Sequence, residues 1–319
     1  MVIHDAIRQI ISQFEARELH AARSGREVMD ALAAVVADSR ASSLANLASD
    51  LEGNIDALLE AMPAYAPPVN AVHRVYSRYE QALQRDETVE ELRSAITNSA
   101  RDYKDWAQQS RSRIASYGAS VIPDGATLFT YTLSETVLRA LLEARRVGRS
   151  FRVLATESRP NNDGLITAKS LAAEGIEVEI GIDGNIGEIV PRADLMLVGA
   201  EAILSDGSAV CKVGTYPSAV VAREFRMPVY VLVDSMKLHA ASLHGGGLWL
   251  DPIRGQDLPR MVPTSQFTAC GHLFDATPAH LISALITERG LIHPNQVSQW
   301  MLEMPVSDAI EGRLKQRRN

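Results

Sequence analysis

Cysteine is nearly absent: Cys211 and Cys270 are the only two in 319 residues. Two thiols are too few for a disulfide framework, which points to a reducing compartment. An excess of basic residues is missing as well. Lys and Arg number 32 against 39 Asp and Glu, a net charge of −7. Duplex nucleic acid requires a basic face, so nucleic acid is not an expected partner. A small phosphorylated ligand held by a few local cations stays open. No apolar run approaches the roughly 20 residues of a membrane-spanning helix. The opening MVIHDAIRQIISQFEARELH is amphipathic and lacks the apolar core of a signal peptide. A cytoplasmic protein with no membrane partner is the default expectation. The cysteines lack metal-ligand spacing and the 8 histidines form no recognisable cluster, so no metal is expected. There is no G-x-S-x-G elbow, which leaves a hydrolase triad unsupported. HGGG at His244–Gly247 then reads as a flexible loop.

What is present divides the chain near Tyr117. Before it the pattern is helical only. Ile3, Ile7, Ile10, Ile11 and Phe14 recur at helical spacing, and further helices are predicted over 26–39 and 44–59. Pro63, Pro67 and Pro68 are predicted to interrupt helix, which resumes through AVHRVYSRYEQAL and from Val89 to about Ile114. Gly118, Pro123 and Gly125 then punctuate, and strands alternate with helical segments. This is an α/β pattern: a helical domain over 1–117 and a ligand-binding α/β domain over 118–319. A helix is predicted near the end, from Pro278 to Glu288.

Five apolar runs in the second part each end on a polar residue. LFTYT closes on Thr132, FRVLATE on Glu157, VEIGID on Asp183, LMLVGAE on Glu201 and VYVLVD on Asp234. Apolar runs of that length read as strands of a parallel sheet buried on both faces. Such sheets bind ligands beyond the carboxyl ends of their strands, so this row marks the expected site.

Two segments add cations to the row. TESRPNNDG, 156–164, leaves a strand and enters a helix, with Arg159 suited to bidentate phosphate binding. It reads equally as an ordinary loop in which Arg159 pairs with Glu157. GAEAILSDGSAVCKVGTY, 199–216, contains an SDG turn, then Lys212, then a Gly-Thr helix start. It reads as a second phosphate site, or as a structural Glu201–Lys212 ion pair. GIDGNIGE has the wrong glycine spacing for a dinucleotide loop; its Asp183 is a hydroxyl acceptor or a helix cap. Carboxylates accept hydrogen bonds from hydroxyls while cations take phosphate, so the mixture suits a phosphorylated polyol.

TESRP, GAEAILSDGSAVCKVGTY, VYVLVDSMK and FDATPAHLISALITERGLIHP, in that order, resemble the initiation factor 2B superfamily. That superfamily holds the alpha, beta and delta regulatory subunits of eukaryotic initiation factor 2B. It also holds methylthioribose-1-phosphate isomerase and ribose-1,5-bisphosphate isomerase. The resemblance covers the α/β half strongly and the helical half more weakly. It implies an N-terminal helical domain followed by a Rossmann-like domain with a mainly parallel sheet, usually dimeric through the latter. It implies a phosphorylated sugar or nucleotide as ligand, related family subunits as partners and no cofactor.

The family's isomerases use a cysteine after the first strand and an aspartate in a GAD motif. Thr132 stands at the cysteine's place and Glu201 at the aspartate's. Cys211 replaces the asparagine before the motif lysine, and reads as a substitute thiol or as a structural cysteine. Glu157, Arg159 and Lys212 match positions that line the sugar-phosphate pocket. Arg23 and Gly25, in ARSGRE, resemble the arginine-glycine phosphate loop, or equally a helix start. The family's next arginine is Met62 here, so one phosphate is expected rather than two. GAE and TES resemble the alpha subunit. The expectation is a regulatory protein binding a sugar phosphate or nucleoside monophosphate. The alternative is an aldose-1-phosphate to ketose-phosphate isomerase, with Glu201 as general base and Thr132 or Cys211 in the thiol's role. A scaffold with an empty pocket is disfavoured by Arg159 and Lys212.

Overall fold

The computed structural model describes residues 3–316 apart from 17, 20, 63–64, 246–249 and 259–267. It divides into two units: 1–108 with 236–249 and 299–319, and 109–235 with 250–298.

The first unit is helical. Its helices are α1 (Asp5–Glu15), α2 (Ala21–Asp38), α3 (Leu44–Ala61), α4 (Ala66–Gln84) and the first part of α5 (Val89–Ser120). Apolar residues at helical spacing make one core: Ile7, Ile10 and Phe14 of α1 bury against Val28, Leu32, Leu51, Leu58 and Val72. Met62 is part of that core. Ser43 caps α3 through its hydroxyl, which accepts from Asn46 N at 3.3 Å. Pro67 and Pro68 do not break helix as the sequence suggested. They sit in the first turn of α4, where the missing amide would have had no intrahelical partner. Pro63 lies outside the described residues.

Two later segments return to this unit through buried polar contacts. Asn70 Nδ2 donates to Met236 O at 2.7 Å and Leu238 O at 2.8 Å. His73 Nδ1 accepts from Ser307 N at 3.2 Å, and its Nε2 lies 3.1 Å from Glu311 on α11 (Asp308–Gln316).

The second unit is a sheet with helices. In chain order come β1 (Ala126–Thr130), α6 (Glu135–Arg146), β2 (Phe151–Thr156), α7 (Asp163–Ala173), β3 (Glu177–Gly181), α8 (Ile186–Ile189), β4 (Leu195–Gly199), β5 (Ala202–Ile203), β6 (Ala209–Lys212), α9 (Thr215–Glu224), β7 (Val229–Leu232), β8 (Phe274–Thr277), β9 (Ala284–Thr287) and β10 (Gly290–Ile292). A short α10 (Val297–Met301) follows. Seven strands form one sheet in the order β10-β9-β7-β4-β1-β2-β3, parallel except for β10. Leu128, Val153, Leu195, Leu197, Leu232 and Ile286 pack with Val137, Leu141 and Leu171 of the helices into one core.

All five predicted apolar runs are strands of this sheet, but β3 is not buried on both faces as expected: it lies at the edge of the sheet and is largely exposed. The predicted helix over Pro278–Glu288 is not there. A single 3-10 turn, Ala279–Leu281, precedes β9, which pairs in parallel with β7. Leu285 and Ile286 are both fully buried, and a short buried strand cannot be told from helix by periodicity alone. The sequence also gave no sign of β5-β6-β8, a small antiparallel sheet. The SDG turn joins its first two strands: Asp206 Oδ1 accepts from Ser208 N at 2.9 Å and Gly207 takes φ +81°.

Candidate ligand site at the strand ends

The sheet order fixes where a ligand belongs. From β1 the chain moves outward to β2 and β3, then returns to β1's other side with β4, β7 and β9. The direction reverses between β1 and β4, and the crevice beyond their carboxyl ends is the expected pocket. Thr132 follows β1 and Glu201 follows β4, so these two flank the reversal. Glu157 and Arg159 follow β2, Asp183 follows β3, and Asp234 follows β7. Glu288, placed inside a helix by the sequence reading, follows β9 and joins the same edge.

The loops leaving β1 and β2 are held in unusual backbone. Thr132, Ser158 and Asn162 have φ of 63°, 60° and 61°. For residues other than glycine the left-handed region costs roughly 1–2 kcal/mol each. Specific bonds hold these loops: Thr167 Oγ1 donates to Thr132 O at 2.9 Å, and Asn162 N to Ser158 O at 2.9 Å. Asp183 spends its carboxylate on the β2 loop, accepting from Ser158 N at 2.9 Å and Arg159 N at 2.7 Å. It positions Arg159 through the backbone.

Charges at the edge divide into matched and unmatched. Glu201 Oε2 is buried and, among the described residues, has no hydrogen-bond partner. Among the described residues, neither Glu157 nor Arg159 forms an ion pair, so the Glu157–Arg159 pairing open to the sequence is not made. Lys212 is 7% exposed and reaches Asp163 Oδ2 at 3.9 Å, with its ammonium 5.9 Å from the Phe274 ring centroid. Its acid is therefore Asp163, at the start of α7, where the sequence offered Glu201. Periodicity had no means of pairing two residues this far apart in the chain.

Both helix starts that looked free for phosphate are occupied. Asp275 accepts from Gly214 N at 2.8 Å and from Tyr216 N at 3.1–3.2 Å, closing the start of α9. At α7, Gly164 N donates to Glu157 O at 3.1 Å and Leu165 N to Asn162 O at 3.1 Å. Gly164 is required there, since a Cβ would fall 1.8 Å from Thr156 O. Tyr131 is buried between these loops, and burial, then the adjacent Asp183 carboxylate, push its phenol above its ordinary range. Glu288 accepts from Ser235 Oγ at 2.5 Å and Ser235 N at 3.2 Å. Burial raises its carboxyl above the usual range, and Asp234 nearby adds to the rise.

Asp275 gives a pH signature. Burial pushes its carboxyl up to about 6, against the opposing pull of the two amides. An unfolded aspartate titrates near about 3.9, so between the two values the folded state holds more protons than the unfolded. The stability this group contributes is present below that window and lost as pH rises through 6. Asp275→Asn is expected to remove that loss. Urea midpoints from pH 4 to 7 should show the variant gaining on the wild type as pH rises; parallel profiles would refute it.

Cys211 is 1% exposed, with its thiol directed to Ala209 O at 3.7 Å. Neighbours along a strand face opposite sides, so it does not share the face of Lys212. Arg23 and Gly25 lie in the other unit, in the first turns of α2. Arg23 Nη2 bonds Glu27 Oε1 at 2.6 Å, and a Cβ on Gly25 would fall 2.9 Å from Pro67 Cβ. Of the two readings left open, the structure places ARSGRE in helix. Among the described residues no cluster of His, Cys, Asp or Glu could hold a metal ion, and no helix is long and apolar enough to cross a membrane. A cavity of about 1090 Å³ opens elsewhere, where β7 and β9 begin, lined by Arg223, Arg226, His280 and His293. It includes none of the strand-end residues.

Comparison with known proteins agrees with the fold. The pattern described as the Initiation factor 2 subunit family matches residues 18–294. Ribose 1,5-bisphosphate isomerase of Haloferax volcanii is 28% identical over 309 residues, 95% of this chain and 93% of that one. Translation initiation factor eIF2B subunit alpha of Dictyostelium discoideum is 32% identical over 216 residues, 62% of this chain and 64% of that one. The crystal structure of a Pyrococcus horikoshii translation initiation factor eIF-2B superposes with a TM-score of 0.76 at 24% identity, covering 92% of this chain and 99% of that one.

Proposed function

The chain belongs to the Initiation factor 2 subunit family, and from that premise we propose that it is a regulatory protein whose strand-end pocket binds a sugar phosphate or nucleoside monophosphate without turning it over. The observation that carries this reading is Glu201 Oε2, buried and without a donor among the described residues. A buried carboxylate oxygen is seldom left unsatisfied, and a ligand hydroxyl at the β1–β4 reversal would complete it. Arg159, with no acid partner among the described residues, would take the phosphate, and Asp183 keeps its backbone in place.

Binding without turnover is favoured by Thr132. Moving hydrogen between C1 and C2 of an aldose phosphate needs a base at one carbon and an acid at the neighbouring oxygen. Glu201 can accept the C2 proton. Thr132 offers an alcohol, a far poorer proton donor than a thiol, and Cys211 does not share the face of Lys212. The isomerase reading keeps one support, the H. volcanii relative along nearly the whole chain. We further read the protein as one of a pair or of a set of related subunits, as the word subunit in the D. discoideum relative's name suggests.

Incubation with ribose 1-phosphate and with AMP separates these readings. The expected result is no ketose phosphate, together with a ligand-dependent rise in melting temperature that Arg159→Ala abolishes. Ketose formation that disappears in Glu201→Gln would establish the isomerase instead. Absence of any stabilisation by either compound would leave the pocket without a phosphorylated ligand and overturn the proposal.

A further inference from the structure

We propose that Asp163 sets the number of phosphates the pocket accepts, admitting a singly phosphorylated ligand and rejecting a bisphosphate. This inference rests on the phosphate-pocket reading given above. The first step is the supply of positive charge at the strand ends. Helix N-termini usually provide part of it, but here α9 is closed by the Asp275 carboxylate, and α7 by the Glu157 and Asn162 carbonyls. Receiving phosphate therefore falls to side-chain cations, and the two motifs that leave β2 and lead into α9 supply Arg159 and Lys212. Arg159 has no acid partner among the described residues. Lys212 is already matched: Asp163 Oδ2 stands 3.9 Å from its ammonium, with the two side chains 23% and 7% exposed.

A separation of 3.9 Å is an ion pair without a direct hydrogen bond. A ligand hydroxyl can bridge it, donating to Asp163 and accepting from Lys212. A phosphate there would meet the Asp163 carboxylate at close range, where like charges repel strongly in a partly buried site. Asp163 thus converts what would be a second phosphate site into a polyol site. Glu157 and Glu201, both unpaired by cations among the described residues, deepen the disadvantage for a second phosphate. None of this is visible in the motif: Asp163 stands in a loop between Asn162 and Gly164 and reads there as a helix start.

The test compares ribose 1-phosphate with ribose 1,5-bisphosphate by titration calorimetry on the full chain. Wild type is expected to prefer the monophosphate by about tenfold or more, the order set by one like-charge contact in a partly screened site. Asp163→Asn should erase the preference through a gain for the bisphosphate, while its amide oxygen can still accept the ligand hydroxyl and keep monophosphate binding measurable. Asp163→Glu, which keeps the charge, should keep the preference; it guards against misreading a general loss of structure. A ratio unchanged in Asp163→Asn, with monophosphate binding intact, overturns the role of Asp163 and leaves the pocket standing. Preference for the bisphosphate in the wild type also overturns it. Binding of neither compound overturns the pocket and this inference together.

Discussion

Glu201→Met is expected to make the protein more stable and insensitive to its ligand. The substitution replaces a carboxylate with an apolar side chain of similar length, so the burden of the unpartnered Oε2 disappears. Leaving a buried polar group unsatisfied costs about 1–3 kcal/mol, and apolar replacement recovers much of that. At about 2–4 °C per kcal/mol for chains of 150–250 residues, the melting temperature should rise by several degrees. The rise that ribose 1-phosphate produces in the wild type should vanish. Opposite movement of stability and binding is what a site residue gives when its ligand completes an unsatisfied group. A variant less stable than wild type, with ligand stabilisation intact, would mean that the protein already satisfies Glu201 and that the pocket lies elsewhere.

Gly214→Ala should be strongly damaging, through strained backbone and a steric clash together. Gly214 has φ +106°, a conformation that side chains rarely adopt, and a Cβ would fall 2.2 Å from the Tyr131 hydroxyl and 2.5 Å from its Cζ. Tyr131 cannot easily withdraw, since it is 2% exposed and packed between the loops. Backbone strain of roughly 1–2 kcal/mol and overpacking of roughly 1–3 kcal/mol act together, for a loss of about 2–5 kcal/mol. Urea denaturation measures it directly. Adding Tyr131→Ala should recover the steric part and leave the backbone part, which a double-mutant cycle isolates. A cost within about 0.5 kcal/mol of wild type would show that the α9 start tolerates a side chain.

The strands most legible in the sequence were those whose signal is local. Each of β1, β2, β3, β4 and β7 is a short apolar run bounded by turn residues, and the structure forms all of them. β9 was misread because Leu281, Ile282, Leu285 and Ile286 fit a helix and a buried strand equally well. Only pairing with β7 decides between them. The short strands β5, β6 and β8 carried no signal because each gains its hydrogen bonds from distant partners, such as Lys212 from Phe274.

The helical unit shows the same division. Its core positions follow from helical spacing, yet a single boundary near 117 misses that 236–249 and 299–319 belong with it. Those segments bury Met236 and Ile310 in its core and are bonded by Asn70 and His73, whose partners lie well over a hundred residues away. Periodicity has no access to such contacts.

The sequence by itself determined that this is an α/β chain with a helical first part, and that acids and two cations gather at one sheet edge. Alternation of apolar runs and helical stretches is enough for that, because parallel strands place all their carboxyl ends together. Tertiary structure alone decided which of those charges are spent. Asp183 and Asp275 are consumed by backbone amides and Lys212 is matched by Asp163, while Glu201 Oε2 has no donor among the described residues. The reason is physical: charge and residue type are properties of one position, but whether a charge is neutralised depends on which distant groups the fold brings within a few ångströms of it.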